Sequence, residues 1–183
     1  MGIEEAVSGV DRTARFEQTF LPHLDAAYNL ARWLTGSAQD AADLAQESYL
    51  RAFEHYESFR GDSVRAWLLA IVRNTCYSHL RKSASAGETA EFDEEAHLSQ
   101  RVLENPETLA LRAEDRQRLA QALEELPMEF REVVVLRDLE EMSYKEIAGV
   151  IGAPVGTVMS RLARGRERLR QLLTVAAPKG PQP

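Results

Sequence analysis

The sequence predicts an all-α chain: two small helical domains joined by an acidic linker, the second containing a helix-turn-helix. Three observations carry this. Apolar residues recur at helical spacing on both sides of residues 86–107, and β-branched alternation is absent from either flank. Between the flanks, "AGETAEFDEEAHLSQRVLENPE" has no sustained apolar period and holds a net charge of −6, against −2 for residues 1–85 and +1 for 108–183. In the second flank, "SYKEIAGVIGAPVGTVMSRLARGRERLR" gives two short helices meeting at a tight corner. The expected units are a first domain over 12–85, the linker over 86–107, a second domain over 108–174 and a disordered tail, "VAAPKGPQP", over 175–183.

The first flank divides into three helices. "RFEQTFLPHLDAAYNLARWLTG" carries an apolar stripe through Phe20, Leu24, Ala27, Leu30, Ala31 and Leu34, closed by Gly36. "SAQDAADLAQESYLRAFEHYESF" gives a second helix starting between Ser37 and Asp40, and "GDSVRAWLLAIVRNTCYSHLRK" a third with Asp62 or Ser63 as N-cap. The second flank opens with a long amphipathic helix stopped by Pro127, followed by "MEFREVVVLRDLEE" and the helix pair. There, Ser143 and Glu146 form a capping-box pattern, Gly152 suits a left-handed helix end and Pro154 starts the next helix.

A net charge of −7 alone argues against a nucleic-acid binder, because duplex DNA repels an acidic body. Local patterning reverses that expectation. On a wheel of about 100° per residue, Val155, Val158, Leu162 and Leu169 fall together, facing the preceding helix. Thr157, Ser160, Arg161, Arg164 and Arg168 fall opposite, where arginines can grip phosphates or pair with guanine edges in the major groove. Arg166 and Arg170 lie nearer the packed side, which suits phosphate contact or intramolecular pairing.

Two further surfaces stand out. In the helix from Asp40 to Glu57, one arc is apolar (Ala41, Leu44, Ala45, Tyr49, Ala52, Phe53, Tyr56). Leu50 sits on the other among Asp43, Gln46, Glu47 and Glu54. Lone exposed leucines are ordinary, but one inside an acidic face also fits a docking surface whose partner supplies a pocket and cations. In the third helix, Leu68, Leu69, Val72, Cys76 and Leu80 share a core face, so Cys76 is a small core residue. Trp67, Asn74, Tyr77 and Arg81 share the opposite arc. Such a set can stack unpaired bases, although periodicity favours packing for Trp67.

"DAADLAQESYLRAF", "SFRGDSVRAWLLAIVRN" and "LEELPMEFREVVVLRDLEEMSYKEIAGVIGAPVGTVMSRLARGRERL" resemble, in this order and separation, the bacterial extracytoplasmic-function (group 4) sigma factors of RNA polymerase, over residues 15–173. The resemblance implies a subunit that binds core polymerase, recognises promoters, helps open DNA and has no catalytic site of its own. It implies that Asp40, Asp43, Gln46, Glu47, Leu50 and Arg51 dock on the clamp helices of the largest polymerase subunit. It implies that Arg60, Arg65, Trp67, Arg73, Asn74, Tyr77, Arg81 and Lys82 serve −10 recognition and melting, and that Thr157, Ser160, Arg161, Arg164 and Arg168 contact the −35 element. An anti-sigma factor is the expected regulator. The acidic linker is either a soluble tether or a nucleic-acid mimic within polymerase channels.

A stand-alone dimeric helix-turn-helix regulator is the alternative, but it has no use for the Leu50 face or the aromatic and basic face. A hydrolase or transferase lacks support, since no phosphate loop, nucleophile motif or metal-ligand spacing occurs. His23, His55, His79 and His97 are scattered, so neither metal nor cofactor is expected. No signal-peptide progression or run of about 20 apolar residues is present, which predicts a cytoplasmic chain without membrane insertion. The end of the chain soon after the last helix predicts no appended sensing domain.

Overall fold

A computed structural model describes residues 12–86 and 106–175, with side chains over 12–85 and 115–174. Nearly all of the expected linker and the tail from 176 onward lie outside the described residues. No strand occurs among the described residues.

Helix α1 covers 12–20 and passes through a 3-10 turn, Leu21–His23, into α2, Leu24–Thr35. One continuous helix is the simplest expectation for this segment. Pro22 interrupts it because the ring removes an N–H and crowds the preceding turn. Gly36 then ends α2 at φ 74°, a conformation that costs glycine least. Helix α3, Ala38–His55, begins where the Ser37 hydroxyl accepts from the Asp40 N–H at 3.2 Å. Helix α4, Val64–Ala86, starts the same way, with Ser63 accepting from the Ala66 N–H. Leu68, Leu69, Val72 and Cys76 of α4 are fully buried against Leu30, Ala31, Ala41 and Ala52.

Helix α5, Pro106–Glu124, leads to α6, Met128–Val134, which relaxes into a π turn over Val135–Leu139. The capping box at Ser143 is formed, and α7, Tyr144–Ile151, ends at Gly152 with φ 64°. Helix α8, Val155–Val175, follows directly. Val158 and Leu162 are buried on α6 and α7, Leu169 is half-buried, and Val155 remains 40% exposed. Val155 therefore departs from its expected packed position: at the first turn of α8 it extends past the corner. Helices α6 and α8 approach closely at Gly165, where a Cβ would stand 3.0 Å from Val134 Cγ2 and 3.3 Å from Phe130 Cβ.

The two halves are docked. Helix α4 packs on α7 and α2 on α6, and one continuous apolar core runs through both.

Replacing Gly165 with valine should lower stability by about 1–3 kcal/mol through overpacking, measured by urea unfolding. An unchanged midpoint would mean that α6 and α8 are not in this close contact.

Candidate polymerase and nucleic-acid interfaces

The acidic face of α3 lies opposite the core. Ala41, Leu44, Ala45 and Ala52 are buried, while Asp43, Gln46, Glu47 and Glu54 are exposed and Leu50 is 57% exposed among them. Local pairs hold the polar side chains without covering the leucine. Asp43 accepts from Gln39 Nε2 at 3.2 Å, Glu47 pairs with Arg51 at 2.5 Å, and Asp40 lies 3.8 Å from His79 Nε2.

The residues expected at the −10 element divide into two groups. Asn74, Arg81 and Lys82 are exposed, and the latter two border a shallow groove with Arg51, Ser78 and Ser85. Arg60 is exposed but turned onto its own backbone, donating to the Glu57 and Phe59 carbonyls at 2.6 and 2.8 Å. Trp67 packs against Phe20 and Phe59 with ring centroids 5.7 and 5.2 Å away, in keeping with its periodicity.

Arg65, Arg73 and Tyr77 face the second half of the chain. Arg73 Nε donates to Glu132 Oε2 at 2.6 Å and its Nη2 to Oε1 at 3.2 Å. Tyr77 donates to the same Oε2 at 2.9 Å, and the Arg73 guanidinium lies 4.3 Å from the Tyr77 ring centroid. Arg65 pairs with Glu140 Oε2 and donates to the Glu140 carbonyl at 2.7 Å. Glu132 and Glu140 are 1% and 7% exposed. Neither figures among the expected site residues. The one available signal for Glu132 is a carboxylate beside the apolar run "VVVL".

On α8, pairing sorts the five arginines. Arg161, expected on the outer face, is half-buried and bridges Glu132 and Glu129, each at 3.3 Å. Arg166 pairs with Asp138 and Arg170 with Glu167. Arg164 and Arg168 are exposed and make no ion pair among the described residues. The exposed arc beside them comprises Gly156, Met159, Ser160 and Ala163, with Met159 at 53% exposure, while Thr157 is half-buried at its edge.

The described residues contain no group of histidine, cysteine and carboxylate side chains able to hold a metal ion, and no helix among them is long and apolar enough to cross a membrane. Burial pushes the Cys76 thiol up to about 12, which fits its place in the core rather than any reactive role.

Residues 19–86 match the family model for sigma-70 region 2, and residues 116–169 that for sigma-70 region 4. Over 139 residues, covering 71% of this chain and 72% of the relative, the sequence is 37% identical to the ECF RNA polymerase sigma-E factor of Escherichia coli. The chain belongs to the extracytoplasmic-function sigma factors. It is a transcription initiation factor that directs RNA polymerase to promoters. This sigma factor is also 39% identical over 144 residues to RNA polymerase sigma-H factor of Pseudomonas aeruginosa, with 74% of each chain covered. Its fold is similar to that of sigma factor RpoE of Bartonella quintana, solved in complex with the anti-sigma factor NepR. The TM-score is 0.72 at 31% identity, over 89% of this chain and 99% of that one.

Burial first, and then the Glu132 carboxylate, push the Tyr77 phenol up to about 12. A phenol raised above its ordinary value of about 10 favours the folded state fully below pH 10 and ceases to do so as pH rises towards 12. Absorbance titration at 295 nm, taken as the difference between the protein and its Tyr77→Phe variant, should show that the tyrosine lost in the variant ionises late. Its ionisation near 10 would contradict the Glu132 contact.

Proposed function

We propose that this sigma factor divides its work among the three surfaces. Leu50 and the carboxylates of α3 (Asp40, Asp43, Glu47), with Gln46 and Arg51, dock on the clamp helices of the largest subunit of core polymerase. The α4 face around Arg65, Arg73, Asn74, Tyr77, Arg81 and Lys82 captures and melts the −10 element. Helix α8 enters the major groove at −35, with Arg164 and Arg168 as its available cations and Ser160 and Met159 towards the bases. A thioether chain beside a hydroxyl suits a thymine methyl next to a polar base edge. The domain boundaries follow as 12–85 and 108–174. The chain works in the cytoplasm, performs no catalytic step of its own, and is held by an anti-sigma factor. The likeness to RpoE of the NepR complex supports that last point.

One observation carries the polymerase assignment: Leu50 is exposed on an acidic face whose opposite side already packs the core. Buried anchors in charged rims commonly dominate such interfaces. Transcription in vitro from a pool of genomic promoter fragments tests the whole reading. Defined starts should appear when the protein is added to core polymerase and vanish when it is omitted. Tight binding to palindromic duplex without polymerase, and no transcripts, would point instead to a dimeric regulator. Leu50→Asp should weaken core polymerase binding by at least about tenfold and leave the unfolding midpoint unchanged. Unaltered affinity would remove α3 from the interface.

A further inference from the structure

Three cations from two helices converge on one groove. Arg51 of α3 lines it together with Arg81 and Lys82 of α4, and Ser78 and Ser85 complete the lining among the described residues. In a chain of net charge −7 this gathering runs against the overall balance. The dipole of α4 accounts for cations near its own end, but not for the arrival of a third from α3. The serines are arranged around Arg81: its Nη2 donates to Ser78 Oγ at 3.4 Å, and the Ser85 hydroxyl donates to its carbonyl at 2.9 Å. Neither Arg81 nor Lys82 makes an ion pair among the described residues. Arg51 has one, from Nη2 to Glu47 at 2.5 Å. Both of those side chains are about half exposed, where a pair of this kind is weak, and the guanidinium fork keeps further donors for a second anion.

The shape of the groove and its continuation along α4 indicate the occupant. At about 770 Å³ the groove is shallow and open, a trough for a passing strand rather than a cage for a small anion. Asn74 and Arg81 are seven residues apart, close to two helical turns, so both lie on one side of α4 and both are exposed. A single strand held at Asn74 therefore runs on towards the groove. We propose that the groove seats a backbone phosphate of the strand captured by α4, and that Arg51 is its third cationic ligand: a DNA-positioning residue carried on the polymerase-docking helix. The inference rests on the assignment of α4 to the −10 element. It narrows the docking face of α3 to Leu50, Gln46 and the carboxylates. Leu50 and Arg51 are consecutive and stand about 100° apart around the helix, so one faces the polymerase while the other faces the strand. One rigid helix then carries both contacts and sets the path of the DNA at a fixed offset from the polymerase.

The test uses the full chain assembled with saturating core polymerase. The probe is a fluorescent single strand carrying the −10 sequence mapped by the transcription assay, read by anisotropy over a series of salt concentrations. Arg51→Gln should bind severalfold more weakly, and the slope of log affinity against log salt should shrink by about 0.7, the share of one phosphate contact on a single strand. Arg51→Lys should restore the slope, and Arg116→Gln, an exposed charge on α5, should leave it unchanged. Methylphosphonates that neutralise the probe's phosphates one at a time should reveal one position that costs the wild type severalfold and Arg51→Gln nothing. An unchanged slope in Arg51→Gln, or methylphosphonates that cost both proteins alike, would overturn the proposal. So would a deficit that disappears as core polymerase is raised, because Arg51 would then act through docking. Failure of the wild-type complex to bind the strand at all would instead count against the assignment of α4 to the −10 element, which separates the two.

Discussion

The structure turns on a carboxylate that has no access to water. Glu132 projects from α6 into the seam between the halves, where Arg73 and Tyr77 from α4 and Arg161 from α8 surround it. Stripping water from a carboxylate is expensive, and the attraction of even two arginines roughly offsets that cost. The net contribution of the cluster to stability is therefore small. Removing one partner, by contrast, strands a buried charge and costs about 3–5 kcal/mol. Such a cluster does little to hold a protein together but specifies which surfaces meet, and it ceases to penalise separation once water reaches the seam.

Local features of the second half exist to present that anion and the helix behind it. The π turn after α6 directs Glu140 onto Arg65, and Glu141 at φ 55° turns the chain into α7. Glu146 serves two elements at once. The Ser143 backbone N–H and hydroxyl, with smaller help from the Ser63 hydroxyl across the seam, hold its carboxyl below the usual range. The helix-turn-helix cap is thereby joined to the N-cap of α4. Gly165 brings α8 close enough to α6 for Arg161 to reach Glu132. The same packing that seats the second helix of the corner also braces the carboxylate that sits on the α4 face.

Much of this is legible from residue order because it is local. The Ser143 and Glu146 capping box, the glycine helix ends at 36 and 152, the core role of Cys76 and the outward placement of Leu50 all follow from spacing along single helices. Arg166 and Arg170 pair within the chain, one of the two roles that their wheel positions leave open. What periodicity misses depends on contacts distant in sequence. Arg161 falls on the polar arc of α8, yet it is drawn to the α6 flank by Glu129 and Glu132, some 30 residues earlier. Glu132 itself carries no local signal of its partners, which lie 29, 55 and 59 positions away. On charge alone the acidic linker suits a soluble tether or a nucleic-acid mimic, whereas the carboxylates seated on the α4 face are two isolated residues of the second half.

The central claim is that the two halves of the free chain are docked about Glu132 and Glu140. Pulsed electron-electron resonance between spin labels at Asp25→Cys in α2 and Gly149→Cys in α7 reads this directly. Both sites are exposed, and Cys76 is too deeply buried to take a label. The account requires one short, narrow distance in the free protein, broadened when Glu132→Gln and Glu140→Gln are introduced together. A broad, long distribution in the unmodified seam would contradict it.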